Sequence, residues 1–63
     1  MSTVTFEKAS AVAETDLALL VDLETEEHWF PKSVIDEDSE VQEKGDRGDL
    51  VVKEWFAEKE GLT

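Results

Sequence analysis

The stretch DLALLVDLETEEHWFPKSVI, Asp16 to Ile35, decides how this chain folds. Leu17, Leu19, Val21 and Leu23 recur at every second position, and Asp16, Ala18 and Asp22 fall on the other face. Side chains on a strand alternate between its two faces, so this spacing describes a strand with one apolar face. A helix is the alternative; the charged ends and the turn-like ETEE that follows favour a strand. Leu20 interrupts the polar side, which implies that part of that side is covered as well. After ETEE, the residues Trp29, Phe30, Val34 and Ile35 suit a second strand. Pro31 lacks the amide hydrogen that a central strand must donate, so this strand is expected at a sheet edge or bent there. Residues 16–35 therefore read as a β-hairpin.

On the N-terminal side, TVTFEK (Thr3 to Lys8) reads as a short strand with Val4 and Phe6 on one face. The small residues of ASAVAET leave helix, extended chain and bend all open. On the C-terminal side, EVQE (Glu40 to Glu43) reads as a short strand. KGDRGD, with two glycines, reads as a turn. LVV is either a brief strand or the entry to a helix. KEWFAEKEGL is the helix: Val52, Trp55, Phe56 and Lys59 share a stripe at helical spacing. Gly61 sits where a left-handed residue ends a helix, and Leu62 supplies the apolar contact that follows. The architecture expected is α+β, a small antiparallel sheet of three or four strands with one C-terminal helix, forming a single domain over residues 1–63. In that arrangement Trp55 lies over an apolar face carrying Leu17, Leu19, Val21 and Trp29, so that both tryptophans are core, with one of them partly exposed as an interface anchor in the alternative.

A chain of 63 residues buries only about 60% of the surface its unfolded form exposes, and a core of this size rarely supplies more than about 3–5 kcal/mol. It has no cysteine, so neither a disulfide framework nor a thiolate zinc site reinforces it. No apolar run approaches the roughly 20 residues that span a bilayer. MSTVTFEKAS lacks the basic segment and apolar core of a signal peptide, so the expectation is a soluble, intracellular protein.

The few motifs that suggest chemistry fail on inspection. DEDSEVQEKGDR starts with acids at alternate positions, as a calcium loop does, but places Val41 where glycine makes the turn and Arg47 where a bidentate Glu belongs. Arg47-Gly48-Asp49 spells the adhesion tripeptide; three residues recur by chance, and it reads as turn chemistry. His28 is the only histidine, beside Trp29, and acid–base work would need a cleft and an oriented partner. It reads as a partly exposed strand residue. Base stacking by Trp29 or Trp55 would need a basic groove, which this composition denies. No catalytic residue, metal site or cofactor is expected.

What stands out is charge. Seventeen Asp and Glu oppose six Lys and Arg, a formal charge of −11. Ser33 to Asp49 alone holds seven carboxylates against two basic residues. Such an excess opposes compaction, repels nucleic acid and anionic membrane, and favours a basic partner. Hydrophobic residues, 40% of the chain and clustered in segments, argue for a folded protein with an acidic exterior. Duplex DNA carries one charge per roughly 1.7 Å of axis, and alternate residues on a strand lie about 6–7 Å apart, so carboxylates on a sheet can imitate a phosphate array. Asp36, Asp38 and Glu40 follow that alternation, and Asp22, Glu24 and Glu26 extend it across the hairpin. With Glu27, Glu37 and Glu43 these make up the expected partner-binding set. The partner expected is a basic nucleic-acid-binding protein, met by a monomer or small homodimer. In the competing reading the acidity serves solubility only, and the chain is a non-catalytic interaction module that binds through an apolar or tryptophan-bearing face.

HWFPKSVI, the polar gap, and LVVKEWFAEKEGL resemble a pattern in small phage and prophage proteins: W-x-P-K-S, an acidic variable segment, then E-W-x-A-E-K-x-G-L. The resemblance covers Leu17 to Leu62 and includes Trp29, Pro31, Lys32, Ser33, Glu54, Trp55, Ala57, Glu58, Lys59, Gly61 and Leu62. It implies phage origin and action in the cytoplasm of a bacterial host. By size and charge the chain is also similar to anti-CRISPR proteins of the DNA-mimic kind. That likeness implies a type I CRISPR surveillance complex as target; the accessory-module alternative implies another phage protein.

Overall fold

The computed structural model describes residues 2–62. One antiparallel sheet in the order β3-β2-β1-β4 is built from β1 (Thr3–Glu14), β2 (Ala18–Asp22), β3 (Glu27–Pro31) and β4 (Arg47–Lys53), and is followed by a single helix, α1 (Glu54–Lys59). The class is α+β, a four-stranded sheet with one C-terminal helix, as the residue pattern predicts.

The N-terminal strand is twice as long as TVTFEK suggests, because ASAVAET continues it. It pairs with two neighbours, and the two pairings overlap at Ser10. Thr3 to Phe6 pair with Lys53 to Leu50 of β4, and Ser10 to Glu14 pair with Asp22 to Leu19 of β2. The pairing with β4 is interrupted between Phe6 and Ala9 by a β-bulge, where Lys8 takes a φ of +59°, and resumes with Ala9 opposite Gly48 and Ser10 opposite Arg47. A bulge bends and twists the strand that carries it. Ala9 and Ala11 are buried on the inside of this bend, where larger side chains would keep the sheet open.

The hairpin is real but shorter than residues 16–35. Leu17 precedes β2 and is 81% exposed, whereas Leu19 and Val21 are fully buried and Leu23 is partly buried against the core. The Leu23 amide donates to the Glu26 carbonyl at 2.8 Å, leaving Glu24 and Thr25 as the loop. Glu24 has a φ of +79°, and the Asp22 Oδ1 accepts its amide at 2.8 Å. Strand β3 lies at an edge and ends on Pro31, as the missing amide requires.

Beyond Pro31 the expected strand residues Val34 and Ile35 depart from the hairpin. Lys32–Val34 is a short 3₁₀ turn, and Ile35 bridges to Val52 of β4, at the opposite edge of the sheet. Four residues reach at most about 14 Å, whereas the far side of a flat four-stranded sheet lies about 19 Å away. The sheet must therefore curl, and the bulged β1 is where it does so.

The acidic segment that follows forms no strand around Glu40–Glu43. It lies along the outer edge of β4 and meets that edge's backbone groups. The Asp36 amide donates to Val51 O at 2.8 Å and the Glu40 amide to Asp49 O at 2.9 Å. In return, the Val51 amide donates to Ser39 Oγ at 3.0 Å and the Asp49 amide to Glu40 Oε1 at 2.8 Å. An unpaired edge is a site of unwanted association, and this segment covers it. Val41, the residue that spoils the calcium pattern, is fully buried and anchors the segment in the core. Arg47-Gly48-Asp49 starts β4 rather than making a turn; the turn is at Lys44 and Gly45.

The helix occupies six residues, and its buried residues are Phe56 and Ala57. Val52 belongs to β4, so the stripe expected from helical spacing is broken at its first member. Phe56 packs on Phe30 with ring centroids 5.7 Å apart, and Phe30 lies 6.3 Å from Phe6. Trp55 turns away from the sheet and is 53% exposed; Trp29, on the opposite face of β3 from Phe30, is 45% exposed. Neither tryptophan is core. A helix of less than two turns offers one narrow face to the sheet, and Phe56 with Ala57 fills it. Its end is as expected: Gly61 has a φ of +72°, its amide donates to Glu58 O at 3.1 Å, and the Leu62 amide donates to Ala57 O at 2.8 Å. This is a Schellman motif, and Leu62 packs against the core.

Candidate functional site

The carboxylates expected to meet a partner fall in two groups on different elements. Residues 16–31 carry five acids and no Lys or Arg; residues 33–43 carry another five, again with no Lys or Arg. The first group is the end of the β2–β3 hairpin. Asp22 closes β2, Glu24 and Glu26 lie in the turn, and Glu27 opens β3 directly opposite Asp22. Bonded pairs on either side of this position make Asp22 and Glu27 a non-bonded pair, the kind whose side chains stand closer. Like charges so placed repel each other. The fold therefore holds two carboxylates together against their electrostatic preference.

The second group does not form the alternating array expected of it. Asp36 starts a turn, with its Oδ2 accepting the Asp38 amide at 2.9 Å and its carbonyl accepting the Ser39 amide at 3.0 Å. The Glu40 carboxylate is bound to the Asp49 amide. Of the trio Asp36, Asp38 and Glu40, two serve the backbone and only Asp38 is free to meet a partner. Among the described residues, Glu37, Asp38 and Glu43 are exposed carboxylates with no hydrogen bond to the protein, as are Glu24, Glu26 and Glu27 in the hairpin. The nine expected residues thus divide into six outward carboxylates and three, Asp22, Asp36 and Glu40, that also hold turns or edges in place.

Elsewhere, one carboxylate is neutralised by a lysine. The Glu14 carboxylate accepts from the Lys32 ammonium and from the Lys44 amide, the latter at 3.0 Å. Those two bonds, Lys32 first, hold its pKa below the ordinary carboxylate value. Asp46 Oδ2 accepts the amides of Gln42 and Glu43 at 3.0 and 3.1 Å and shapes the turn before β4. His28 is a partly buried strand residue whose ring meets Phe30 and Phe56 edge-on at 5.3 and 6.2 Å. Its Nε2 is 3.3 Å from Glu60 Oε1, which ties β3 to the end of the helix. Ser39 is buried with its hydroxyl fully used, donating toward Val41 O and accepting from Val51.

Among the described residues, no three His, Asp or Glu side chains are placed to hold a metal ion, and no helix is long and apolar enough to cross a membrane.

The residue pattern marks Leu20 as a break in the polar side and allows a tryptophan-bearing binding face, but it does not place that face on the outer side of the hairpin. Ala18, Leu20 and Asp22 of β2 point there, and so do Glu27, Trp29 and Pro31 of β3. Leu20 stands opposite Trp29, and Ala18 opposite Pro31. The signal was present in Leu20, which breaks the polar side of its strand.

No family model, no curated protein and no solved structure compared with the chain gives a match.

Proposed function

We propose that this protein is an inhibitor that imitates nucleic acid, binding the basic DNA-binding surface of a target protein and blocking access to DNA. The observation that carries the proposal is the hairpin end, where Asp22 and Glu27 are held side by side with Glu24 and Glu26 and with no basic residue among residues 16–31. A basic groove built for phosphates would relieve that repulsion on binding, and the free exposed carboxylates Glu37, Asp38 and Glu43 extend the negative field. Inhibition by occupancy needs no chemistry of its own. The likeness in size and charge to DNA-mimic anti-CRISPR proteins points to a CRISPR effector of type I as the target, and the resemblance to phage proteins places the encounter in the cytoplasm of a bacterial host.

The test is competition. A purified type I surveillance complex is mixed with target DNA and increasing amounts of this protein, and bound DNA is measured at several salt concentrations. Displacement that weakens as salt rises is expected, because exposed charges are screened over about 8–10 Å near physiological ionic strength. Reversal of Glu24, Glu26 and Glu27 to Lys should abolish displacement, while reversal of Glu7 and Glu58 should matter less. Glu14 is no control, since it is bound to Lys32 and Lys44. Undiminished DNA binding in the presence of excess protein would sink the proposal for this target. Equal loss in both sets of reversals would reduce it to net charge without a shaped site.

A further inference from the structure

We infer that the outer face of the β2–β3 hairpin is a docking surface for an arginine-bearing surface of a basic protein, with Trp29 as its anchor. The inference rests on the reading that the partner is basic, and adds to it where the partner sits and which cation it presents. An antiparallel sheet with one face on the core ordinarily turns polar residues to water on the other. This one instead turns out Ala18, Leu20, Trp29 and Pro31, in two cross-strand pairs. Helix α1 packs on the opposite face, through Phe56 against Phe30, and leaves Trp29 45% exposed. The next cross-strand pair on this same face is Asp22 with Glu27. An indole beside two carboxylates is complementary to guanidinium. The flat cation stacks on the ring, and its fork of N–H donors meets the carboxylates.

Charge complementarity selects this occupant over the others. A second copy would bring Asp22 and Glu27 against their own equivalents on a chain of charge −11. Nucleic acid and anionic lipid are repelled for the same reason. Lysine offers charge without the planar fork, so arginine and lysine probes separate stacking from simple attraction.

The experiment uses two synthetic peptides of equal length and charge, one with arginine and one with lysine at alternate positions, titrated into isotopically labelled protein at fixed salt. Amide shifts are followed by NMR, and emission is followed in a Trp55→Phe variant, in which Trp29 is the single tryptophan. The arginine peptide should bind more tightly, shift residues 18–22 and 27–31, and change Trp29 emission. Trp29→Thr and, separately, Leu20→Thr should weaken arginine-peptide binding by about tenfold and narrow its advantage over lysine. Dispersed amide spectra of both variants would establish that they remain folded. Equal binding of the two peptides, shifts confined to the turns, no binding of either, or a protein that sediments as a dimer through this face would each overturn the inference. The DNA competition above is read independently, so mimicry can stand where this face fails, and the reverse.

Discussion

The Oε1 of Glu40 accepts the backbone amide of Asp49 at 2.8 Å, so a carboxylate of the acidic segment closes a hydrogen bond at the edge of β4. The residue before Asp49 shows how closely the two parts fit. Gly48 has a φ of +135°, and a Cβ placed on it would stand 2.6 Å from that same Oε1. Gly48→Ala should therefore lower stability by about 1–3 kcal/mol through backbone strain alone, with loss of the Glu40 contact added. Urea unfolding measures it. Glu40→Gln keeps an acceptor in place and should cost less than Gly48→Ala; a Gly48→Ala protein as stable as the parent would refute the close approach.

Phe56, not Trp55, is the aromatic residue of the helix that holds the fold. Phe56→Ala removes a side chain packed on Phe30 and His28, and should cost about 3–5 kcal/mol, enough to unfold a domain of this size. Trp55→Ala should leave a cooperative melt, since about half of that side chain is already in water. Thermal denaturation of the two variants distinguishes them, and the opposite order would place Trp55 in the core.

Glu24 takes a φ of +79° in a two-residue hairpin loop, where glycine is the usual resident. Left-handed backbone costs an ordinary residue about 1–2 kcal/mol, so Glu24→Gly should stabilise the fold and raise the melting temperature by several degrees. The same change removes one hairpin carboxylate and should weaken binding to the basic target. A variant that is more stable yet binds less well is the signature expected of a residue kept for its charge.

The Glu14–Lys32 pair sets a dependence on pH. The folded-state pKa of Glu14 is depressed, so its contribution is complete above the unfolded value and is lost as pH falls through the folded one. Glu14→Gln should accordingly be less stable than the parent near neutral pH, and the two melting temperatures should converge on acidification. Parallel curves across the whole range would show that the pair contributes nothing to folding.

Much of this architecture was written in local pattern. The alternation of Leu19, Val21 and Leu23, the proline that closes an edge strand, and the Gly61-Leu62 helix end each depend on neighbours a few residues apart, and each stands where the residues place it. The acidity of the two segments, 16–31 and 33–43, is likewise a property of composition alone. Local pattern could not say which apolar residues win the interior. Trp29 and Phe30 are adjacent and both suit a strand; the curl of the sheet and the position of the helix turn Phe30 inward and leave Trp29 in water. Nor could it divide the carboxylates. Asp36 and Glu40 look like Asp38 in the sequence, but β4 arrives from later in the chain with an unpaired edge, and its backbone engages Glu40 while the turn that leads there engages Asp36. A free charge and a structural acceptor are the same residue type, and only the distant strand that needs a hydrogen bond decides between them.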